Sequence, residues 1–170
     1  MRKFASFVLT KDRAFWLQNS DSHSEIISHY KLHEIGPRGI NIVKVAISPT
    51  PTLKKWHKYA DWRLIFDQDQ FPEWHDPITS EKRARVALLE RAKIGFTTVD
   101  AIGCTALTEL KADAAVYVYA TGCTALTELK ADAAEYVYAS GCTALTELKA
   151  DAAVYVDARG TMAKKKKGWL

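Results

Sequence analysis

The chain has 170 residues, of which 48% are hydrophobic and 26% are charged, and its net charge is +4. This length suits one domain or two small ones, and the composition is that of a globular protein, not of a disordered chain. No apolar run approaches the roughly 20 residues that cross a bilayer, and the first residues do not resemble a signal peptide. We therefore expect a cytoplasmic protein without a membrane partner.

Residues 1–95 contain no repeat and predict an α+β head. Their apolar segments are separated by turn residues, and one segment follows Asp21 and Ser22, either of which can cap a helix. Alternating or β-branched segments predict strands. The predicted elements are a hairpin of residues 3–10 and 13–18, a helix over 20–32, and strands over 40–48 and 61–66.

A second helix is predicted to begin at Pro77, because Asp76 can cap it and proline is favoured in a first helical turn. The helical pattern continues to about Lys93 and leads directly into the repeats. We therefore expect this helix to cap the first edge of the repeat array. The apolar residues predicted for one side of it are Val86, Leu89 and Ala92.

The stretch GCTALTELKADAAVYVYAT begins at Gly103 and recurs almost unchanged from Gly122 and Gly141, with a period of 19 residues. A short fixed period indicates stacked supersecondary units. Within the first unit, alternation around Leu110, Ala112 and Ala114 predicts one strand, and the Tyr-Val-Tyr-Ala segment predicts a second. The repeat therefore predicts a β-solenoid over residues 96–160, of about three and a half coils. A coil resembling a leucine-rich repeat is the alternative.

Differences between the copies predict which positions face water. Val116 is replaced by Glu135, and Tyr138 by Asp157, so both positions are expected to be exposed. Identical apolar residues are expected to stack inside as ladders about 4.8 Å apart. The three cysteines are interpreted as one such ladder of reduced, buried thiols, and not as a metal site. The predicted inner positions are Leu107/126/145, Leu110/129/148, Val118/137/156, Ala120/139/158 and Cys104/123/142.

Candidate chemistry in the head is sparse. His29 and His33 have the spacing of two metal ligands on a helix, but no acidic residue accompanies them. A cluster of acidic residues could hold a cation, although turn and capping roles explain it as well. The sequence predicts no enzyme, no cofactor and no metal site. The acidic cluster consists of Asp67, Asp69, Glu73 and Asp76.

Two basic regions make nucleic acid a possible partner. The head carries most of the positive charge, whereas residues 98–160 contain nine acidic and four basic residues. Aromatic side chains between lysines can stack on bases while the lysines contact phosphates. A lysine run in the C-terminal tail, residues 161–170, could act in the same way. The residues concerned are Trp56, His57, Trp62, Trp74 and His75 in the head, and Lys164, Lys165, Lys166 and Lys167 in the tail.

The repeats also predict an ordered outer surface. Columns of Glu, Lys and Asp alternate along one strand of each coil, and tyrosines line the other strand. Tyrosine is enriched at protein–protein hot spots, so this surface is a candidate for binding a protein. A purely structural, self-assembling element is a further alternative. The candidate binding tyrosines are Tyr117, Tyr119, Tyr136, Tyr138 and Tyr155.

The stretch FDQDQFPEW at residues 66–74, followed by a charged helix and short repeats, resembles a group of small phage and prophage proteins. The resemblance covers the layout of the whole chain, but its motif is only nine residues long. It implies an α/β head with a short-repeat solenoid and transfers no catalytic residues. It also implies a virus-encoded accessory protein that binds host machinery, such as a defence component, inside the host cell.

The last coil lacks a predicted cap of any size, and four lysines make a poor lid over an apolar interior. An open strand edge must be covered or paired. The sequence therefore predicts a homodimer joined through the C-terminal coils. The alternative is that residues 161–170 fold across the last coil, with Met162, Trp169 and Leu170 against its core. The leading functional expectation is a non-catalytic protein that engages or inhibits a host protein.

Overall fold

A computed structural model describes residues 5–164 and 169–170 of the chain. The chain divides into two compact units. The first comprises Met1–Ser48 and Arg63–Lys93, and the second comprises Pro49–Trp62 and Ile94–Leu170. Among the described residues, no helix has both the length and the apolar character needed to cross a membrane.

The first unit is built on a four-stranded antiparallel sheet, whose strands in order are β2 (Ala14–Phe15), β1 (Ala5–Leu9), β5 (Val43–Ser48) and β6 (Arg63–Phe66). The predicted hairpin is confirmed, but its second strand is only two residues long. Strand β1 is buried along its whole length, so the core of this unit lies around it. Strands β3 (Ile35–Gly36) and β4 (Gly39–Ile40) form a separate hairpin.

Both predicted helices are present in this unit. Helix α1 (His23–His29) is capped by Ser22, whose hydroxyl accepts from the Glu25 amide. Helix α2 (Pro77–Ile94) is capped by Asp76, whose carboxylate accepts from the Thr79 amide at 2.8 Å. The capping residues were therefore identifiable from the sequence.

The predicted apolar side of α2 is wrong. Val86 and Leu89 are 57% and 51% exposed, and the helix buries a different stripe. That stripe consists of three small residues, which allow close packing, of Leu88, and of an arginine that forms an ion pair with Asp21 at 2.7 Å. The buried residues of α2 are Ser80, Ala84, Ala87, Leu88 and Arg91. The expectation that α2 caps the first coil stays a prediction.

The second unit contains a β-solenoid, as the 19-residue period predicts. Each coil contributes one strand to a Glu–Leu–Lys sheet and one to a tyrosine sheet, and all pairings are parallel and in register. The second segment of each coil, at the tyrosines, is a strand. The all-β coil is therefore confirmed, and the coil resembling a leucine-rich repeat is not. The Glu–Leu–Lys sheet comprises β8 (Glu109–Lys111), β10 (Glu128–Lys130) and β12 (Glu147–Lys149). The tyrosine sheet comprises β7 (Thr98–Asp100), β9 (Tyr117–Tyr119), β11 (Tyr136–Tyr138) and β13 (Tyr155–Asp157).

The inner ladders are confirmed, including the cysteines. Cys123 and Cys142 are fully buried, and their thiols donate to the carbonyls of Ala101 and Ala120. Burial raises the pKa of the Cys104 thiol, so this residue stays protonated and behaves as a small apolar side chain. Gly122 turns the coil beside this ladder with a φ of 75°, a conformation that glycine adopts without steric cost.

Two details of the predicted coil are wrong. Ala114 is exposed, because the strand ends at Lys111 and a turn closed by an Ala115-to-Ala112 hydrogen bond directs Ala115 inward instead. Asp157 is only 4% exposed, although it replaces a tyrosine of the outer face. The guanidinium of Arg159 lies against the Asp157 carboxylate at 2.8 Å and shields it.

The first coil is paired with the segment Pro49–Trp62. Lys55 forms a parallel bridge with Glu109, and the Trp56 amide donates to the Glu109 carbonyl. Thr108 donates to the Lys54 carbonyl from both its amide and its hydroxyl. This segment therefore pairs with the first edge of the Glu–Leu–Lys sheet through a single bridge and the hydrogen bonds beside it.

Candidate functional site

The candidate site is the outer face of the tyrosine sheet, which we call the tyrosine face. Side chains two residues apart in a strand point to the same side, so each coil contributes two outward positions. Strand pairing aligns these positions into two columns. One column contains Thr98, Tyr117, Tyr136 and Tyr155, and the other contains Asp100, Tyr119, Tyr138 and Asp157.

The tyrosine rings stack along the columns. The ring centroids of Tyr117 and Tyr136 lie 5.2 Å apart with 10° between the planes, and those of Tyr119 and Tyr138 lie 5.0 Å apart at the same angle. Tyr117 and Tyr119 of one strand are also parallel, with their centroids 6.5 Å apart. The last ring, Tyr155, is tilted by 43° against Tyr138. All five predicted tyrosines therefore belong to one continuous aromatic surface.

Acidic groups lie at both ends of the second column. Asp100 is paired with Tyr119 at one end, and Asp157 is paired with Tyr138 at the other. Hydrogen bonds from Arg159 lower the pKa of Asp157, so this carboxylate is ionised at neutral pH. Removal from water raises the pKa of Tyr138, so the phenol stays neutral. The tyrosine face is thus a neutral aromatic surface with a carboxylate at each end of one column.

The outer face of the Glu–Leu–Lys sheet is charged and internally paired. Parallel stacking places like residues beside one another, and ion pairs within each strand offset this repulsion. The ammonium of Lys111 lies 2.7 Å from the Glu109 carboxylate, and that of Lys149 lies 3.3 Å from Glu147. Lys130 forms the equivalent ion pair with Glu128. Ion pairs between the Glu and Lys columns therefore compensate the like charges within each column.

The structure does not bring together the candidate ligands of the head. Helix α1 ends at His29, and Lys31 has a positive φ of 51°, so His33 lies beyond the helix and shares no face with His29. In the described part of the chain, no three His, Cys, Asp or Glu side chains converge as metal ligands.

Two members of the acidic cluster of the head, Asp67 and Asp76, have structural roles. Asp76 caps α2, and the Asp67 carboxylate lies 3.2 Å from Nδ1 of the buried His23. His23 also contacts the Val45 carbonyl through Nε2 at 3.0 Å. The sequence did not single out His23, because both of its partners are distant from it along the chain.

The head aromatics are mostly not available for stacking on bases. Trp56 and Trp62 are 1% exposed and pack edge to face, and the Trp62 indole donates to the Trp56 carbonyl. His75 stacks on Phe71 with 14° between the rings, while His57 is exposed. Lys165, Lys166 and Lys167 lie outside the described residues, and Lys164 is exposed.

The motif-like stretch at residues 66–74 has a structural role in the first unit. Gln68 accepts from the Lys44 amide and donates to the Ile42 carbonyl, which ties the stretch to β5 and the residues before it. Phe66 and Phe71 pack edge to face beside His75. Comparison of the chain with protein-family models, curated proteins and solved structures gave no match.

Proposed function

We propose that this chain is a non-catalytic binding protein that engages a partner protein through the tyrosine face. The observation that carries the proposal is the surface of five adjoining tyrosine rings on a parallel sheet, four of which are stacked in two columns. Rings already ordered by their neighbours lose little side-chain freedom on binding, and tyrosine offers both an apolar ring and a hydroxyl to a partner.

The charge around the tyrosine face suggests the kind of partner. Residues 98–160 contain nine acidic and four basic residues, and Asp100 and Asp157 lie in line with the rings. A basic side chain of a partner can lie on the ring of Tyr119 while its charge faces Asp100, since Asp157 is already paired with Arg159. The partner we propose is therefore a protein that presents arginine or lysine on a flat surface.

The layout of the chain supports a more specific origin and role. A small α/β head with a short-repeat solenoid resembles phage accessory proteins, and the stretch FDQDQFPEW adds to that resemblance. We place the chain with phage-derived proteins that act in the host cytoplasm by occupying a host protein, for example a component of host defence.

The test uses a tyrosine variant and a matched control on the other sheet. Tyr117→Thr with Tyr136→Thr removes two central rings and keeps a β-forming residue that already occupies this column at Thr98. Lys111→Thr with Lys130→Thr makes an equal number of changes on the Glu–Leu–Lys face. Partners captured from bacterial lysate by the wild type are purified and titrated against all three proteins.

We expect the tyrosine variant to bind at least about tenfold more weakly, because tyrosine is enriched among the residues that dominate binding energy and a loss of about 1.4 kcal/mol is a factor of ten. The control should bind like the wild type. Equal binding by the tyrosine variant would contradict the proposal. A nucleic acid as the captured partner, with affinity falling steeply as salt rises, would favour the alternative function instead.

A further inference from the structure

The C-terminal end of the solenoid is covered on the tyrosine sheet. The Ala120 and Ala139 amides each donate to the next coil, at Tyr138 and Asp157. The equivalent Ala158 amide donates instead to the Leu170 carbonyl at 2.9 Å, and the Leu170 amide donates to Val156 at 3.0 Å. Leu170 therefore takes the place of a fourth coil on this sheet.

The Glu–Leu–Lys sheet has no such cover within residues 5–164 and 169–170, where β12 is the outermost strand. The Glu147 amide donates to Thr127, and the Lys149 carbonyl accepts from Ala131, so both residues bond toward the stack. Neighbouring residues of a strand direct their backbone groups in opposite directions. The amide and carbonyl of Leu148 therefore point away from the stack.

The side chains at this end are also incompletely covered. Leu110 and Leu129 are fully buried, whereas Leu148, at the same position of the last coil, is only half-buried. Ala153 is also only partly buried, whereas Ala134, at the same position of the preceding coil, is buried. An open strand edge next to exposed apolar surface is the usual template for pairing with another strand.

We infer that β12 pairs with β12 of a second copy of this chain, antiparallel about a two-fold axis at Leu148. The outward amide and carbonyl of Leu148 match an antiparallel hydrogen-bonded pair, in which the two Leu148 residues exchange both bonds. The next hydrogen-bonded positions join the Ala150 amide of each copy to the Thr146 carbonyl of the other. In the inner coils the equivalent groups, Ala131 and Thr127, bond the neighbouring coil in the same way.

Charge complementarity favours this antiparallel arrangement over continued parallel stacking. Parallel pairing places Glu147 beside Glu128 and Lys149 beside Lys130, and a further parallel strand would add another row of like charges. Antiparallel pairing about Leu148 places Glu147 of each copy opposite Lys149 of the other. These are non-hydrogen-bonded pairs, in which the side chains approach most closely. The two-fold arrangement is also closed, so it yields a dimer and not a filament.

Charge reversal tests both the interface and its register. Glu147→Lys places an introduced lysine against Lys149 of the second copy, and Lys149→Glu places two glutamates together. We expect each variant alone to dissociate at least about tenfold more readily than the wild type, measured by sedimentation velocity over a concentration series. An equimolar mixture should form a heterodimer, because each position then meets the opposite charge. The double variant should dimerise like the wild type.

Matched controls come from the middle coil. Glu128→Lys and Lys130→Glu break the equivalent ion pair within a strand, but they lie one coil away from the edge. They should dimerise like the wild type. The dimer does not depend on what the tyrosine face binds.

Several results would overturn this inference. One is a wild type that stays monomeric up to about 1 mM, where even a millimolar association is half formed. Another is a pair of charge variants that dimerise as well as the wild type, which would place the contact elsewhere. A mixture that remains monomeric would exclude the antiparallel register, and species that grow beyond a dimer would indicate head-to-tail stacking.

Discussion

Leu129 and Leu148 occupy the same position in successive coils, but their surroundings differ. Leu129 lies between two other coils and is fully buried, whereas Leu148 contacts a coil on one side only and is half-buried. Identical residues in a repeat therefore contribute unequally to stability. The contribution of each depends on whether a neighbour covers it, as expected for a stack held by nearest-neighbour contacts.

Replacing Leu129 by alanine should lower the free energy of unfolding by about 2–5 kcal/mol, because a buried cavity remains. Leu148→Ala should cost clearly less, since part of this side chain already faces water. Urea unfolding at low protein concentration measures both. The exposed Glu135 offers a control, because Glu135→Val copies the residue of the two other coils and should be nearly neutral. Equal losses for the two leucine variants would contradict the difference in burial.

At the scale of elements, the first coil is completed by the segment Pro49–Trp62, which is distant in sequence. This pairing places Lys55 beside Glu109, whose carboxylate also contacts Lys111. Hydrogen bonds from these two lysines, with that of Lys111 the stronger, lower the pKa of Glu109 to about 2. The ion pair therefore links the segment to the solenoid.

Ionisation of the Glu109 carboxyl stabilises the folded state relative to the unfolded state. Its pKa in the folded protein is about 2, below the value of roughly 4.3 for an unfolded chain. The folded state therefore favours the ionised carboxylate. This contribution is fully present above about pH 4.3, and it is lost as the pH falls toward the folded pKa.

We expect Lys55→Met to raise the pKa of Glu109, because one of its two ammonium partners is removed. An NMR titration of the Glu109 side-chain carboxyl measures this directly, and acid unfolding should show a weaker dependence on pH in the same range. Lys58→Met is the control, since Lys58 is an exposed residue of the same segment. An unchanged Glu109 pKa in Lys55→Met would mean that the segment does not hold Lys55 against the first coil.

For the molecule as a whole, the two sheet edges at the end of the solenoid differ. Leu170 covers the tyrosine sheet, and β12 leaves the Glu–Leu–Lys sheet open within the described residues. The Met162 amide also bonds the Leu145 carbonyl, while the Met162 side chain is 65% exposed. In the dimer that we propose, the C-terminal interface expected from the sequence therefore involves only the Glu–Leu–Lys sheet.

Removing Trp169 and Leu170 should expose the edge of β13. The Ala158 amide then loses its acceptor, and its hydrogen exchange should accelerate by a factor corresponding to about 0.5–1.5 kcal/mol. Exchange at single amides by NMR measures this change. Ala139 is the internal control, because its acceptor is Asp157 of the next coil. Unchanged protection at Ala158 would show that Leu170 does not pair with this edge.

The solenoid could be predicted from the sequence because its contacts repeat every 19 residues. Each ladder position occurs in three copies of the repeat. The inward leucines, valines and cysteines could therefore be recognised because they are identical in all copies. The tyrosine columns follow from the same period and the alternation of a strand. The helix caps Ser22 and Asp76 could also be predicted from the sequence, because each side chain accepts a hydrogen bond from an amide only three positions ahead.

Contacts between distant residues were decided only by the tertiary structure. Trp56 and Trp62 are buried although charged residues flank them in sequence, because they pack on each other and Trp62 stacks on Phe96. Asp157 is buried although it is charged, because Arg159 folds over it.

No signal in the sequence indicated the segment that covers the first edge of the solenoid, and the tail was only one of two possible covers for the last edge. Lys55 and Leu170 each pair with a strand outside their own stretch of sequence, and each does so once, without a repeat to reveal it. The sequence by itself determined the coil, its period and its outer tyrosines, because those depend on local spacing. The ends of the stack, and hence the strand edge left open for a partner, depend on single long-range pairings that no periodic pattern encodes.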